Sequence, residues 1–271
     1  MTITASIVLY HNDPLEVQEA VRSCLSSPLI NKVYLVDNST EDNFRSLANN
    51  ERIEYISNVE NIGFGAAHNL AIQRCMASDY HIIVNPDIAF HKGVIEHLTA
   101  FMDQHPDIGL VMPKVLYKNG QLQRLCKLLP TPFNLFGRRF APNRRWARQL
   151  NEQYELSFFQ YDQIADIPCL SGCFMFVRNN VLQTLSGFDT RFFLYLEDVD
   201  LVRRIGHIAR TVFYPHVSIS HGYQKESYHN SKVLRMHMKS AIQYFNKWGW
   251  LFDRERKQIN QETLKKLTGK K

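Results

Sequence analysis

His81-Ile82-Ile83-Val84-Asn85-Pro86-Asp87 is the stretch whose reading decides the fold. His81 to Val84 reads as a buried strand, and Asn-Pro-Asp leaves a carboxylate at its carboxyl end, where open α/β sheets place their ligands. The run Val33-Tyr34-Leu35-Val36 delivers a second carboxylate, Asp37, in the same way. Two such strand-end aspartates can divide the work, one reading a nucleotide base and the other holding a metal on its phosphates. Alone, Asn-Pro-Asp is equally a plain turn, because all three residues are ordinary turn formers. The pattern around it has to decide.

Outward from this stretch, strand and helix patterns alternate. Ser6 to Tyr10 reads as a strand, and Pro14 to Leu25 as a helix opened by Asp13 as N-cap with Pro14 at its first position. Lys32 to Asp37 and Ile53 to Ser57 read as strands. Phe64 to Cys75 carries Phe64, Ala67, His68, Ala71, Ile72 and Cys75 on one helical stripe. A helix from Lys92 to Gln104 and a strand from Gly109 to Tyr117 complete the first half. Such alternation implies an α/β fold, a mainly parallel sheet flanked by helices. From Asn119 to Asp162 prolines, arginines and aromatics break the pattern, which reads as an excursion from the sheet. Regularity returns over Cys169 to Val177, followed by a helix from Glu197, a strand Thr211 to Tyr214 and a long helix Lys232 to Trp248. The expectation is one domain over 1–248, with a donor half over 1–117 and an acceptor half over 165–230. A polar helical extension follows over 249–271.

The chain has 271 residues, 45% hydrophobic and 21% charged, which is ample for a folded core. A formal charge of +6 is partly clustered, at Arg138-Arg139, Arg144-Arg145 and Arg148, and at Lys265-Lys266 with Lys270-Lys271. Such clusters suit phosphates or an anionic membrane, and the C-terminal lysines read better as a solvated face. Five cysteines, none in a Cys-x-x-Cys pair, argue against a zinc ribbon and a secreted disulfide scaffold. With no basic-then-apolar start and no run of about 18 apolar residues, the expectation is a cytoplasmic protein able to rest on a membrane surface.

Glu197-Asp198-Val199-Asp200-Leu201 is the densest chemistry. Wound as a helix, it puts Asp198 on one face with Leu201, Val202 and Ile205. Burial raises a carboxylate's pKa, which suits Asp198 to act as a base, whereas helix capping explains only one of three acids. Asp200 and Arg204 read as a surface ion pair on the opposite side. The two glycines of Asn61-Ile62-Gly63-Phe64-Gly65 allow close approach to a phosphate, but the dinucleotide fingerprint fails at His68 and in its distance from the first strand. His68 reads as a core histidine. In Val217-Ser218-Ile219-Ser220-His221 alternation places His221 on one face with Val217 and Ile219, either as a structural histidine or as a partner for a divalent ion.

Taken in order, five pieces resemble the inverting, GT-A type, family 2 glycosyltransferases: Ser6 to Tyr10, Val36-Asp37-Asn38-Ser39, Asn61 to Gly65 with His68-Asn69, Asn85-Pro86-Asp87, and Gly187-Phe188-Asp189 with Phe192 to Leu201 and Arg204. The pattern is most similar to bacterial rhamnosyltransferases of O-antigen or capsule synthesis, a likeness to which His237-Met238-Lys239-Ser240 and Tyr244 add. The resemblance implies a Rossmann-like GT-A sheet and a nucleotide-sugar donor, dTDP-rhamnose or another dTDP- or UDP-linked sugar. It implies a glycan or polyprenyl-diphosphate-linked acceptor, and peripheral contact with the inner membrane.

It further implies Asp198 as the catalytic base, and Asp87 with His221 holding Mg²⁺ or Mn²⁺. Tyr10, Asp37, Asn38, Asn61, Gly63, Asn69, Asn85 and Asp87 would line the donor, with Asp37 reading the pyrimidine. Ser171, Gly172, Cys173 and Glu197 would border the acceptor. Asn85 departs from the family's Asp-x-Asp, which leaves Asp87 alone as its metal-binding acid. Two rivals fit less well. A nucleotidyltransferase needs a glycine-rich basic loop after the first strand, where Tyr10-His11-Asn12-Asp13 stands. A basic module for nucleic acid or membrane leaves the ordered acids unexplained, so no nucleic-acid partner is expected.

Overall fold

The computed structural model describes residues 1–41, 43–137, 145–222 and 231–269. The expected phosphate or membrane roles of Arg138, Arg139, Phe140, Arg144, Lys270 and Lys271 lie outside the described residues. Strand β1 (Ile3–Leu9) is buried at every position, as a strand covered on both faces must be. Helix α1 (Pro14–Ser26) starts where Asp13 accepts a hydrogen bond from the Leu15 N–H, with Pro14 in the first turn. The sheet then gains β2 (Ile30–Asp37), β3 (Ile53–Ser57), β4 (Tyr80–Val84) and β5 (Ile88–Ala89). It is completed by β6 (Ile108–Tyr117), β7 (Ala165–Asp166), β8 (Phe174–Arg178) and β9 (Arg210–His221). Helices α2 (Phe64–Arg74) and α3 (Val94–Gln104) fill the crossovers.

Strand order is β3-β2-β1-β4-β8-β6-β9-β5, with β7 beside β9. Strands β1 to β4 pair in parallel, as do β6 and β9, whereas β8 runs against both β4 and β6. The chain winds outward from β1 to β3 and then returns to the other side of β1 as β4. That reversal is a topological switch point, and it opens a crevice past Leu9 and Val84.

Two strands differ from the sequence expectation. Within the regular stretch Cys169–Val177 the strand begins only at Phe174: Cys169 bridges Lys127, and Gly172 and Cys173 form a turn whose N–H and carbonyl bond to Asp198 and Asn85. The strands read separately at Thr211–Tyr214 and Val217–His221 are one, β9: between Pro113 and Lys114 of β6 the paired residue jumps from Tyr214 to Ser218. Pro215 has no N–H for the ladder, so the strand bulges there and then resumes to His221.

The excursion after Asn119 is less detached than its sequence suggests. Leu128, Tyr154, Leu156, Phe159 and Tyr161 from it are all buried in the main core. It also carries a single wide turn (Phe133–Gly137) and helix α4 (Arg145–Tyr154). Beyond β8 come the short α5 (Asn179–Thr184), then α6 (Glu197–Ile205), α7 (Ser231–Trp248) and α8 (Arg254–Thr268). A satellite apolar cluster of Leu129, Cys169, Phe192, Leu196, Val199, Tyr244 and Phe245 fastens α7 to α6.

Candidate active site

Past the end of β4, the turn Asn85-Pro86-Asp87 leads into the two-residue β5, which pairs Ile88 with His221 at the end of β9. That pairing sets the His221 Nε2 atom 3.3 Å from Asp87 Oδ1. Gln123 decides which ring nitrogen faces the carboxylate. Its amide nitrogen donates to the carbonyls of His221 and Leu116, so its oxygen is the group that meets His221 Nδ1, at 3.0 Å. Nδ1 must therefore carry a proton, so the ring meets Asp87 through Nε2, either as an N–H donor or as a lone pair open to a cation. A carboxylate oxygen and an imidazole nitrogen at that distance are spaced to share a cation, whether a proton or a metal ion.

The donor set, one carboxylate oxygen and one imidazole nitrogen, fits Mn²⁺ or Mg²⁺ held jointly with substrate phosphates. Among the described residues, no group of three or more His, Cys, Asp or Glu converges to form a closed metal cage. Gly222 completes the turn, its N–H donating to the Asp87 carbonyl, and an added Cβ would lie 3.3 Å from that of Asp87.

On the other side of the crevice the polar residues mostly serve one another. Asp37 is fully buried, accepting from the Ser39 N–H at 2.8 Å and the Tyr55 hydroxyl at 2.7 Å. Both of its oxygens are already engaged, where a pyrimidine donor was expected; Tyr55, overlooked in the sequence, takes one of them. Asn38 is also buried and donates to the Asn61 side chain and the Gly63 carbonyl, while Asn61 receives the Gly63 N–H. Gly63 holds φ at 91°, and a Cβ there would lie 2.4 Å from the Phe193 carbonyl. Only glycine fits. Tyr10 stands half-exposed at the mouth, edge-on to His11.

Asn69 needs a correction. Its amide donates to the Phe188 carbonyl and accepts the Phe188 N–H, both at 2.8 Å, so it braces the Gly187-Phe188 turn and does not line the donor. His68 is a core histidine as expected, fully buried with Nδ1 2.7 Å from Ser6 Oγ, although its Nε2 has no partner among the described residues.

The two sides meet through one turn. Cys173 accepts the Asn85 N–H through its carbonyl, and Gly172 donates its N–H to Asp198 Oδ2 at 2.9 Å. A Cβ on Gly172 would come within 2.9 Å of that of Asp198, so the missing side chain lets α6 approach. Ser171 receives a long bond from the Cys173 N–H through its own hydroxyl. Burial pushes the Cys173 thiol up to about 12, with Asp87 and Asp198 both adding to the rise.

Asp198 itself is half-buried. Burial raises its pKa, against the opposing pull of the Gly172 and Val199 N–H groups. Glu197 is buried, with one carboxylate oxygen unpartnered. Burial first, and then neighbouring Asp198, hold its pKa well above the usual range. The expected surface pair of Asp200 and Arg204 is instead sealed under α7. Asp200 has no exposure, and it also binds Lys247 and the Trp248 indole N–H.

Residues 6–185 match the model of the family described as Glycosyl transferase family 2. The chain belongs to that family. Among curated relatives, the N-acetylglucosaminyl-diphospho-decaprenol L-rhamnosyltransferase of Mycobacterium tuberculosis (strain CDC 1551 / Oshkosh) is 26% identical over 208 residues. That match takes in 70% of this chain and 66% of the relative, so the chain spans just under two thirds of its relative's length. Solved structures of similar shape include GalNAc-T7 with UDP, GalNAc and Mn²⁺, at TM-score 0.64 and 12% identity over 83% of this chain and 44% of that one. Staphylococcus aureus TarS 1–349 with UDP-GlcNAc follows at 0.61 and 16%, over 100% and 73%. The mannosyltransferase PcManGT of Pyrobaculum calidifontis with GDP-Man and Mn²⁺ stands at 0.58 and 14%, over 99% and 75%. At such identities the likeness speaks to the fold, and the fold of this glycosyltransferase is GT-A.

Proposed function

We propose that this glycosyltransferase moves a sugar, L-rhamnose in the first instance, from its dTDP or UDP diphosphate onto a polyprenyl-diphosphate-linked acceptor, with inversion at the anomeric carbon. The setting is bacterial surface polysaccharide synthesis on the cytoplasmic face of a membrane. One observation carries the reading: the turn 171–173 ties the Asn85–Asp87 turn to Asp198, placing a cation-seeking pair and a raised-pKa carboxylate on either side of one small turn.

Asp198 takes the proton from the acceptor hydroxyl, helped by a pKa lifted toward that of a working base. Two backbone N–H groups keep its carboxylate aimed. The hydroxyl then attacks from the face opposite the diphosphate. Asp87 and His221 would hold a divalent cation, whose charge would offset that developing on the leaving diphosphate. Tyr10 and the braced Asn61–Gly63 loop border the donor's base and diphosphate. The Mycobacterium tuberculosis relative supports rhamnose and a lipid-diphosphate acceptor. The UDP-GlcNAc and GDP-Man complexes of two neighbours keep hexose donors as the second reading.

Thermal melting against a panel of nucleoside diphosphates and nucleotide sugars, with and without Mn²⁺, tests the reading, because a ligand of the folded state must raise the melting temperature. Metal-dependent stabilisation by dTDP or UDP compounds is expected. A product with the donor's anomeric configuration would rule out the single displacement, and no response to any nucleotide would remove the donor site.

A further inference from the structure

Between α7 and α8 the chain presents Trp250, Leu251 and Phe252 to solvent, with Leu251 78% and Phe252 94% exposed. Three consecutive large apolar side chains at a tip cost solubility, and the tip is not a frayed end. Gly249, at φ 102°, stops α7, and its N–H donates to the Phe245 carbonyl. On the far side Asp253 caps α8 and takes a two-point ion pair from buried Arg203. Between these anchors the Trp250 ring stacks on Phe136 and leans on Phe245 of the satellite cluster. The tip is a rigid projection with an apolar end.

Its surroundings select the partner. A groove of about 550 Å³ runs from Leu251 and Phe252 between α4 and α8, and continues into a second that is lined by Trp146 and Lys265. Exposed Trp146 and Leu150 on α4 extend the apolar surface. Arg254, Lys257 and Lys265 ring it; of the acids in the two grooves, Asp253 is spent on Arg203, which leaves Glu152. Apolar side chains that project, edged by cations, suit a deformable surface whose interior is oily and whose outer layer is anionic.

We infer that the Trp250–Phe252 tip, with the facing surfaces of α4 and α8, is the face on which this protein sits against an anionic phospholipid bilayer. The tip and the helix bearing Asp198 share one apolar cluster, through Phe245 with Leu196 and Val199. Seating the tip would therefore hold the acceptor side of the site in a fixed attitude to the lipid. The inference draws its purpose from the lipid-linked acceptor proposed above; the surface is read independently of it.

Flotation with phosphatidylcholine vesicles, with and without phosphatidylglycerol, tests the inference on the full chain. Binding should require the anionic lipid and weaken in high salt. Leu251→Ser with Phe252→Ser should cut the bound fraction by roughly tenfold or more. Melting temperature and transfer to a water-soluble acceptor should stay unchanged. Absence of vesicle binding, or equal binding by the double variant, overturns the inference. Self-association abolished by the same substitutions, without vesicle binding, would assign the tip to a second copy and overturn it equally. Failure of nucleotides to stabilise the protein would strike the catalytic reading alone.

Discussion

The edge where Asp87 meets His221 and the underside of α6, where Asp200 meets α7, are both built from charged side chains, and they treat charge in opposite ways. Under α6, Asp200 receives Arg204, Lys247 and the Trp248 N–H, and next to it Arg203 is shared by Asp253 and Glu255. Every one of those charges has an opposite within hydrogen-bond reach, and Asp200 and Arg203 have almost no exposure. At the edge, among the described residues, Asp87 has a single histidine at 3.3 Å and keeps about a fifth of its surface open, while Asp198, two residues from Asp200, is held by backbone N–H groups alone. A buried charge must be paired, and once fully paired it has nothing left to offer a substrate. On the reading proposed above, chemistry falls to the carboxylates whose pairing is incomplete.

The largest expected effect tests that division directly. Asp198→Asn should lower turnover by about 10² to 10⁴, the usual worth of a positioned base, while nucleotide stabilisation persists. Asp200→Asn should do the reverse. Removing one member of a buried ion network costs about 3–5 kcal/mol of folding stability, so its melting temperature falls steeply while the surviving folded protein keeps its turnover. Denaturant melts and steady-state rates on both variants decide it. Equal losses of rate and stability in both would show that the two aspartates are not divided in this way.

The sequence could not reveal that division. It placed both aspartates on α6 from periodicity, but the partner that buries Asp200 is Lys247-Trp248, 47 residues on, and i, i+4 spacing sees only Arg204. The same limit applies to Asp37 and Asn69, whose partners Tyr55 and Phe188 come from other elements. Tyr55 alternates inward on β3, yet nothing in its spacing says that it caps an aspartate. Gln123 lies in the stretch that looked like an excursion. What was legible was whatever repeats locally: the strand and helix alternation, the Asp13-Pro14 helix start, and the strand-end position of Asp87. The bulge at Pro215 hid the length of β9, because a proline in a strand reads as its end.

A third treatment of charge lies beneath the donor loop. Ser6 Oγ bridges His68 Nδ1 at 2.7 Å and His81 Nε2 at 2.8 Å, and neither histidine has any exposure. Burial lowers the His81 pKa to about 3 and drives His68 well below 6.5. Both rings stay neutral in the fold, whereas the unfolded chain takes up protons below pH 6.5. Stability should therefore fall as pH drops from 6.5 toward 3, by about 2 kcal/mol at pH 5 from His81, with His68 adding in the same direction. His81→Gln should flatten that slope in urea melts at pH 7 and pH 5. An unchanged slope would mean that these rings do not set acid lability.

Gln123→Ala asks whether the edge is held poised from behind. With the amide gone, His221 Nδ1 loses the acceptor that Gln123 offers it, and the balance shifts toward the other tautomer, with an N–H facing Asp87. A ligand lone pair then becomes available only at the expense of a tautomer shift. The Mn²⁺ concentration giving half of the nucleotide-induced melting shift should rise by about tenfold, as for other groups that orient a ligating imidazole. Loss of the bonds to the Leu116 and His221 carbonyls will lower the melting temperature as well, so the metal titration is the readout and not stability. Gln123→Glu keeps an acceptor opposite Nδ1 and should recover most of the affinity. If alanine leaves the metal requirement where it was, Gln123 does not set the tautomer of His221, and the edge is as rigid as the lattice beneath α6.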